Sequence, residues 1–347
     1  MSTSSYRAGI VGLGFIGAAD QVSGDVLGQR VEDLDGTHLD ALNRHPRVEL
    51  VAGSSRDPGR RQRFVQRTGA RGYADWQEML AREALDIVSI ATYAPVHAEI
   101  SRACAEQGVR AIYCEKPLAT RVADAADMIK ACEERGALLA VNHNRRFNPN
   151  GHRLRAAVER GDLGALTSLS LQWSSGRLGG VGTHIFDAAC MLSGRCIEAV
   201  AGTLDRAGRP DCRGPEFRDY GAWGLLRMEG GLMATVDAAD YSRLPLQVAL
   251  NGTEGRALMT GDGVVIEYWD GRREEWQTQL DRISSMDRAV AAIVAWLDGE
   301  APFPYPAAAA ATVLEAIVGL HVSDARGGGW VDLPLRGADR EREVLCA

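Results

Sequence analysis

The sequence predicts an α/β chain: an N-terminal Rossmann domain with a doubly wound parallel sheet, then an α+β domain with an open, mostly antiparallel sheet. Three observations carry this. Short apolar strands alternate with amphipathic helices up to about residue 143, the pattern of a parallel sheet covered on both faces. A Gly-x-Gly-x-x-Gly run, Gly12 to Gly17, follows the first strand at once. Beyond residue 150, longer strand-like runs succeed one another directly across turns such as Glu229-Gly230-Gly231, as antiparallel hairpins require.

In chain order, the first strand is Tyr6 to Leu13, and the next are Val48 to Gly53, Asp86 to Ala91, Ala111 to Cys114 and Leu138 to Val141. Helices are expected between them at 60–68, 76–82, 97–107 and 122–135. Gly69, Gly108 and Gly136 stand just past helices, where a left-handed cap is expected. Between Gly17 and Val48 lie 30 residues, 18–47, where one helix and two short loops use about half as many. Residues 18–36, polar and rich in acids (Asp20, Asp25, Glu32, Asp33, Asp35), therefore read as an insertion, with the usual helix resuming at 37–43. A surface elaboration, a lid and an oligomer contact all stay open for it. In the second domain, strands are expected at 166–173, 222–228, 232–238, 246–251, 256–260 and 264–269, with helices at 183–192, 286–297 and 307–325.

At roughly 150 residues per domain, 347 residues make two domains, placed at 1–143 and 144–347. A net charge of −7 argues against nucleic-acid or anionic-membrane binding, for which no basic stripe exists. No unbroken apolar run approaches the ~20 residues of a membrane span, and the opening residues lack an apolar signal core. Seven cysteines without Cys-x-x-Cys spacing fit thiols in a reducing cytoplasm and no structural metal. Of 39 basic residues, only Lys116 and Lys130 are lysines. Compositional bias accounts for most of that, and it singles out any lysine at a chemically placed position; Lys130, mid-helix, reads as surface.

Gly12, Gly14, Phe15, Ile16 and Gly17 are the expected pyrophosphate loop: the first glycine makes the turn, the second admits the phosphates and the third packs the helix. An acid that binds the ribose normally ends the second strand. Here Ser54-Ser55-Arg56 stands there, and hydroxyls with a guanidinium accept a 2′-phosphate that an acid would repel. NADP(H) is therefore preferred, with Asp57 keeping NAD(H) open.

Glu115-Lys116-Pro117 ends the fourth strand, at the edge where open parallel sheets bind ligands, and the proline admits a cis bond. With the glycine loop, with Thr92-Tyr93-Ala94-Pro95-Val96-His97, Asn142-His143-Asn144-Arg145-Arg146-Phe147, Gly182-Thr183-His184-Ile185-Phe186-Asp187 and Gly252-Thr253-Glu254-Gly255, it resembles the Gfo/Idh/MocA oxidoreductases over nearly the whole chain, in order. The resemblance implies a substrate held between the two domains and a sheet face that often forms the dimer contact. It implies that Lys116 is the acid/base beside the reacting alcohol or ketone, a role for a lysine whose pKa a cationic nicotinamide lowers. It gives His184 the second place in the active site, and Thr92, His97, Glu115 and Lys116 to the cofactor. Asn144, Arg145, Arg177, His184 and Asp187, with Lys116, are the candidate substrate groups. Arg146 is a further candidate grip; His143, His152 and Tyr241 are candidates by position only. In many members an aspartate stands four residues before the helix histidine; here that position is Gly180, and Asp187 is the candidate substitute.

The expectation is an NAD(P)-dependent oxidoreductase acting on a secondary alcohol or ketone of a sugar, glycoside or cyclitol, as a homodimer or homotetramer. Two alternatives stay open: a lyase or epimerase that uses tightly bound NAD(P) for transient oxidation, and a non-catalytic dinucleotide sensor.

Overall fold

A computed structural model of the chain describes residues 5–23, 30–174, 176–207, 216–239, 245–261, 263–277 and 283–345. It divides into two units: one of residues 1–119, 124–144 and 283–308, the other of 120–123, 145–282 and 309–347.

The first unit holds a six-stranded sheet, all parallel. Its strands are β1 (Tyr6–Val11), β2 (Val48–Ser54), β3 (Arg71–Tyr73), β4 (Ile87–Ile90), β5 (Ala111–Cys114) and β6 (Leu138–Val141), in the order β3-β2-β1-β4-β5-β6. The order reverses at β1, which pairs with β2 and β4. That reversal opens the crevice where such sheets take their ligands. The central strands are mostly apolar, with β4 and β5 wholly buried, because helices cover both faces. The three-residue strand β3 has two exposed residues and no apolar run, which is why the sequence did not show it.

The helix after the glycine loop, α1 (Phe15–Ala18), ends after one turn at Ala19, which has φ 52. The chain then departs. Arg63 holds the buried Asp20 with two 2.8 Å bonds, and Arg67 caps the carbonyls of Ala18 and Ala19. The helix resumes as α2 (His38–Arg44), with Thr37 as its cap. The return is pinned where the carboxylate of Asp35 accepts the N–H of Ser285 at 2.9 Å. Residues 24–29 of the insertion, Asp25 among them, lie outside the described residues.

The other helices of this unit are α3 (Pro58–Thr68), α4 (Trp76–Arg82), α5 (His97–Glu106), most of α6 (Val122–Glu134) and α9 (Ser285–Leu297). Asp57 and Pro58 start α3 two residues earlier than its apolar pattern shows. Gly69, Gly108 and Gly136 all have positive φ, as their positions after helices led one to expect. Sequence order puts α9 among the elements of the second domain, yet it belongs to the first unit. It packs on α2, and Asp298 at its end takes the hydroxyl of Tyr6 at 2.6 Å and the guanidinium of Arg47.

The second unit is built on a nine-stranded sheet. Its order is β14 (Arg273–Trp276), β13 (Gly263–Tyr268), β12 (Gly255–Thr260), β11 (Gln247–Gly252), β7 (Leu166–Gln172), β10 (Leu232–Asp237), β9 (Gly221–Met228), β8 (Ile197–Asp205) and β15 (Val331–Asp332). Every pair is antiparallel except β7 with β10. Strands β8, β14 and β15 are additions to those predicted. α7 (Pro149–Arg160), α8 (Thr183–Ser193) and most of α10 (Ala307–Ala325) belong to this unit, with α8 against β7 and β11. α10 is long and apolar enough to cross a membrane, but more than half of it is buried inside the protein, as in a core helix. Alternation along β10 buries Leu232, Ala234 and Val236 and leaves Met233, Thr235 and Asp237 on the other side. Trp223 and Leu225 of β9 are exposed. Tyr241 lies outside the described residues.

Candidate active site

In the first unit the carboxyl ends of β1, β2, β4 and β5 carry the chemically interesting residues. Gly12 has φ +100, and a Cβ there would lie 2.4 Å from the carbonyl oxygen of Ala91. A Cβ on Gly17 would lie 2.0 Å from the carbonyl oxygen of Gly12. Only glycine lets this turn close so tightly. Gly14 is extended, and its vacant Cβ direction meets only the guanidinium of Arg60, at 3.6 Å. The amides of Phe15, Ile16 and Gly17, in the first turn, have no acceptor within their own helix. The cradle fits a dinucleotide pyrophosphate. Arg60 was not singled out from the sequence, because in a chain of 37 arginines nothing local marks it; α3 brings it there.

At the end of β2, the carbonyl of the buried Ser54 accepts the N–H of Gly12 at 2.9 Å. Ser55 accepts the N–H of Asp57, and Arg61 ties down the carbonyls of Ser55 and Arg56. Arg56 is exposed. The carboxylate of Asp57 caps α3 through the N–H of Arg60 at 2.9 Å, a bond that holds its pKa below the usual range. The acid that follows this strand end is thus engaged in capping.

His97 lies between the loops after β4 and β5. It is fully buried, its Nδ1 2.9 Å from the carbonyl of Pro117 and its Nε2 3.1 Å from that of Thr92; burial lowers its pKa. His97 was expected at the cofactor. Its ring instead sits between the two loops, both nitrogens facing backbone carbonyls, and as a neutral imidazole it donates to one of them. The hydroxyl oxygen of Thr92 is buried without a hydrogen-bond partner, and so is the amide oxygen of Asn144. Buried polar atoms of this kind are what a bound polar ligand would satisfy.

The Lys116–Pro117 bond is cis. Glu115 is buried rather than open to a ligand. Burial alone would raise its pKa, but the hydrogen bond and charge of His38, then the charge of Lys116 and the amide of Asn142, outweigh it and bring it to about 2. Its second oxygen accepts the backbone N–H of Lys116 at 3.2 Å. Lys116 itself is half-buried at the end of the sheet, while Lys130 is exposed beside Glu134.

In the second unit, His184 stands half-buried in the first turn of α8. Asp187, expected at the substrate, is fully buried instead. Nε of Arg146 lies 2.8 Å from both of its oxygens, and Nη2 lies 2.8 Å from one. The pair is an internal anchor, which also removes Arg146 as a substrate grip. Arg145 and Arg177 are half-buried, the latter with φ 61. His143 is buried and His152 exposed.

Position 180, where an aspartate was expected, holds a different solution. Asp219 accepts the N–H of Gly179 at 2.7 Å and of Gly180 at 2.8 Å, and Nε of Arg177 lies 3.9 Å away. A Cβ on Gly180 would come within 3.1 Å of that carboxylate. The space an aspartate at 180 would take is therefore filled by an acid from 39 residues further on, for which the sequence carries no local sign. Among the described residues no cluster of three or more His, Cys, Asp or Glu could hold a metal.

A parallel sheet reversing at β1, a glycine cradle on its first turn and a lysine at the same edge define a nicotinamide-dinucleotide oxidoreductase. Comparison with known proteins makes this specific. The chain belongs to the Gfo/Idh/MocA family: residues 6–143 match "Oxidoreductase family, NAD-binding Rossmann fold", and residues 152–258 match the "GFO/IDH/MocA C-terminal domain". It is 32% identical over 260 residues to a D-apiose dehydrogenase of Paraburkholderia graminis, covering 68% of each chain. It is 26% identical over 314 residues to a levoglucosan dehydrogenase of Pseudarthrobacter phenanthrenivorans, covering 79% of this chain and 76% of that one. Some other relatives are covered over less than half their length. An inositol dehydrogenase homolog from Azotobacter vinelandii, solved with NADH and myo-inositol, shares the fold. Its TM-score is 0.77 at 20% identity, with 95% of this chain and 98% of that one covered.

Proposed function

We propose that this oxidoreductase interconverts a secondary alcohol and ketone on a sugar, glycoside or cyclitol, with NADP(H) preferred and NAD(H) as the alternative. The nicotinamide, when bound, takes up or supplies the hydride. The substrate class follows the relatives named for apiose and levoglucosan and the neighbour solved with myo-inositol.

Oxidising a carbinol removes a proton from the hydroxyl as hydride leaves, so a group that can lose and regain a proton must stand at the oxygen. Lys116 is that group. The observation that carries this reading is its placement: half-buried, its backbone N–H fixed by Glu115, at the same sheet edge as the glycine cradle. Arginine, which stays charged in proteins, could not serve, so the lysine is chemically required in an arginine-rich chain. His184 is the second proton-handling group. Asn144, with an unsatisfied amide oxygen, and Arg145 and Arg177 are the groups we assign to substrate hydroxyls. Ser55, Arg56 and Arg60 are assigned to a 2′-phosphate or its neighbouring pyrophosphate, since the carboxylate of Asp57 is occupied as a cap.

The exposed Trp223 and Leu225 support a homodimer or homotetramer, and the five described cysteines, all free thiols, support a reducing cytoplasm. The test is a screen of sugars and cyclitols that follows nicotinamide absorbance with both cofactors. Lys116→Arg should cut kcat by about 10² or more while cofactor affinity is kept. Wild-type turnover by that variant would overturn the assignment, and tighter binding of NAD+ than of NADP+ would overturn the cofactor preference.

A further inference from the structure

Glu115 heads a buried polar network that the reaction itself does not use. One carboxylate oxygen accepts Nε2 of His38 at 3.0 Å and the amide of Asn142 at 2.6 Å; the other accepts the N–H of Lys116 at 3.2 Å. The carbonyl oxygen of Asn142 takes the hydroxyl of Tyr113 at 2.7 Å, and its amide also lies 3.7 Å from the sulfur of Met286. On the far side of the imidazole, Nδ1 of His38 is 3.0 Å from the hydroxyl of Ser89. His38 and Ser89 have no exposed surface, and His38 packs against the ring of Tyr113 with centroids 4.8 Å apart.

The hydrogen-bond pattern orients the ring. A carboxylate only accepts, so Nε2 of His38 carries a hydrogen. Nδ1 shares its hydrogen bond with the Ser89 hydroxyl, which makes no other among the described residues. The imidazole of His38 is thus wedged between the Ser89 hydroxyl and the Glu115 carboxylate. The connectivity is that of a serine–histidine–acid triad, but a serine in the middle of a wholly buried strand meets no substrate. The other titratable groups felt here are Tyr113 and Cys114 on β5, both pushed well up by burial, and His97 on α5, pushed down by burial. Asp35 and Asp287 act on Tyr113. Glu115 is left as the anion beside Lys116.

We propose that His38 is a positioning residue for Lys116: by anchoring Glu115 it keeps the lysine backbone N–H bonded and a fixed anion next to the ammonium, and so sets how firmly that ammonium holds its proton. An anion in a dry site stabilises a neighbouring cation far more than one in water does. The network also gives the insertion a chemical consequence. Its end is pinned to the start of α9 through Asp35, Thr37 caps α2, and His38 is the first residue of that helix.

This proposal rests on Lys116 as the proton-transfer group, but the lysine can be read directly. With only two lysines in the chain, protein labelled with lysine bearing backbone 15N and 13Cε gives two amide and two Cε signals, the exposed Lys130 serving as internal reference. Glu115→Gln removes the anion. His38→Asn ends short of Glu115, and His38→Gln keeps an N–H at the reach of Nε2. The Cε titration midpoint of Lys116 should fall by about one pH unit in E115Q and about half a unit in H38N, and stay within about 0.2 in H38Q. The Lys116 amide should exchange faster in H38N and keep wild-type protection in H38Q. The acid limb of the kcat/KM profile should move in the same order, while Lys130 does not move. A Lys116 midpoint and amide unchanged in folded H38N, or unmoved in E115Q, overturns the proposal. Should H38N not fold, the E115Q midpoint and the comparison of H38Q with wild type decide it. If Lys116→Arg keeps full activity, the catalytic assignment fails separately, and the NMR result still reports whether the network governs the lysine.

Discussion

Replacing Arg146 by Met tests the anchor in the second unit. Met keeps much of the side-chain volume but removes the guanidinium, which meets both oxygens of Asp187 at 2.8 Å. The Asp187 side chain has no exposed surface and that of Arg146 only 12%, so water cannot easily replace the lost partner. Removing one member of a buried pair costs about 3–5 kcal/mol, most of it the penalty of a charge left without its counter-ion. At about 2–4 °C per kcal/mol for domains of this size, Tm should fall by roughly 6–20 °C. Asp187→Asn in the same chain removes the stranded charge, so R146M/D187N should be more stable than R146M alone, with a coupling energy of about 2 kcal/mol or more. Urea unfolding at pH 7 of wild type, both single variants and the double variant supplies the four corners. A loss below about 1 kcal/mol for R146M, or no recovery in the double variant, would refute the account of Asp187 as a structural anion.

Acid should weaken the fold through His321. Burial, with the charge of Arg342, lowers its pKa from 6.5 to about 4, so the unfolded chain takes the proton first. Its contribution is complete above pH 6.5 and is lost as pH falls toward 4, by about 3 kcal/mol in all. His321→Gln should flatten that slope in urea midpoints measured between pH 7 and 4, and an unchanged slope would contradict it. Gly17→Ala places a methyl 2.0 Å from the carbonyl oxygen of Gly12, so dinucleotide affinity by nicotinamide fluorescence should drop at least about tenfold. Asp219→Asn turns an acceptor facing two N–H groups into a mixed donor and acceptor. It should destabilise by about 1–3 kcal/mol in urea unfolding.

Features controlled by short-range sterics and periodicity were readable from the residues alone. The tight turn at Gly12 and Gly17 has to be glycine, so the cradle was legible, and the strand of apolar residues before it set its place. Glu115-Lys116-Pro117 was legible for the same reason, as a rare lysine at a strand end. The residues that the structure relocated are those whose meaning depends on a distant partner. Asp187 pairs with Arg146, Glu115 with His38 across 77 residues, and Gly180 with Asp219 across 39. Strand β3 and the placement of α9 in the first unit belong with them. A buried charge is tolerated only where an opposite charge or a donor reaches it, and which one reaches it is decided by the packing of elements far apart in the chain. Local patterns therefore marked the cradle and the lysine, and only the packing of distant elements decided which acids are anchored and by which partners.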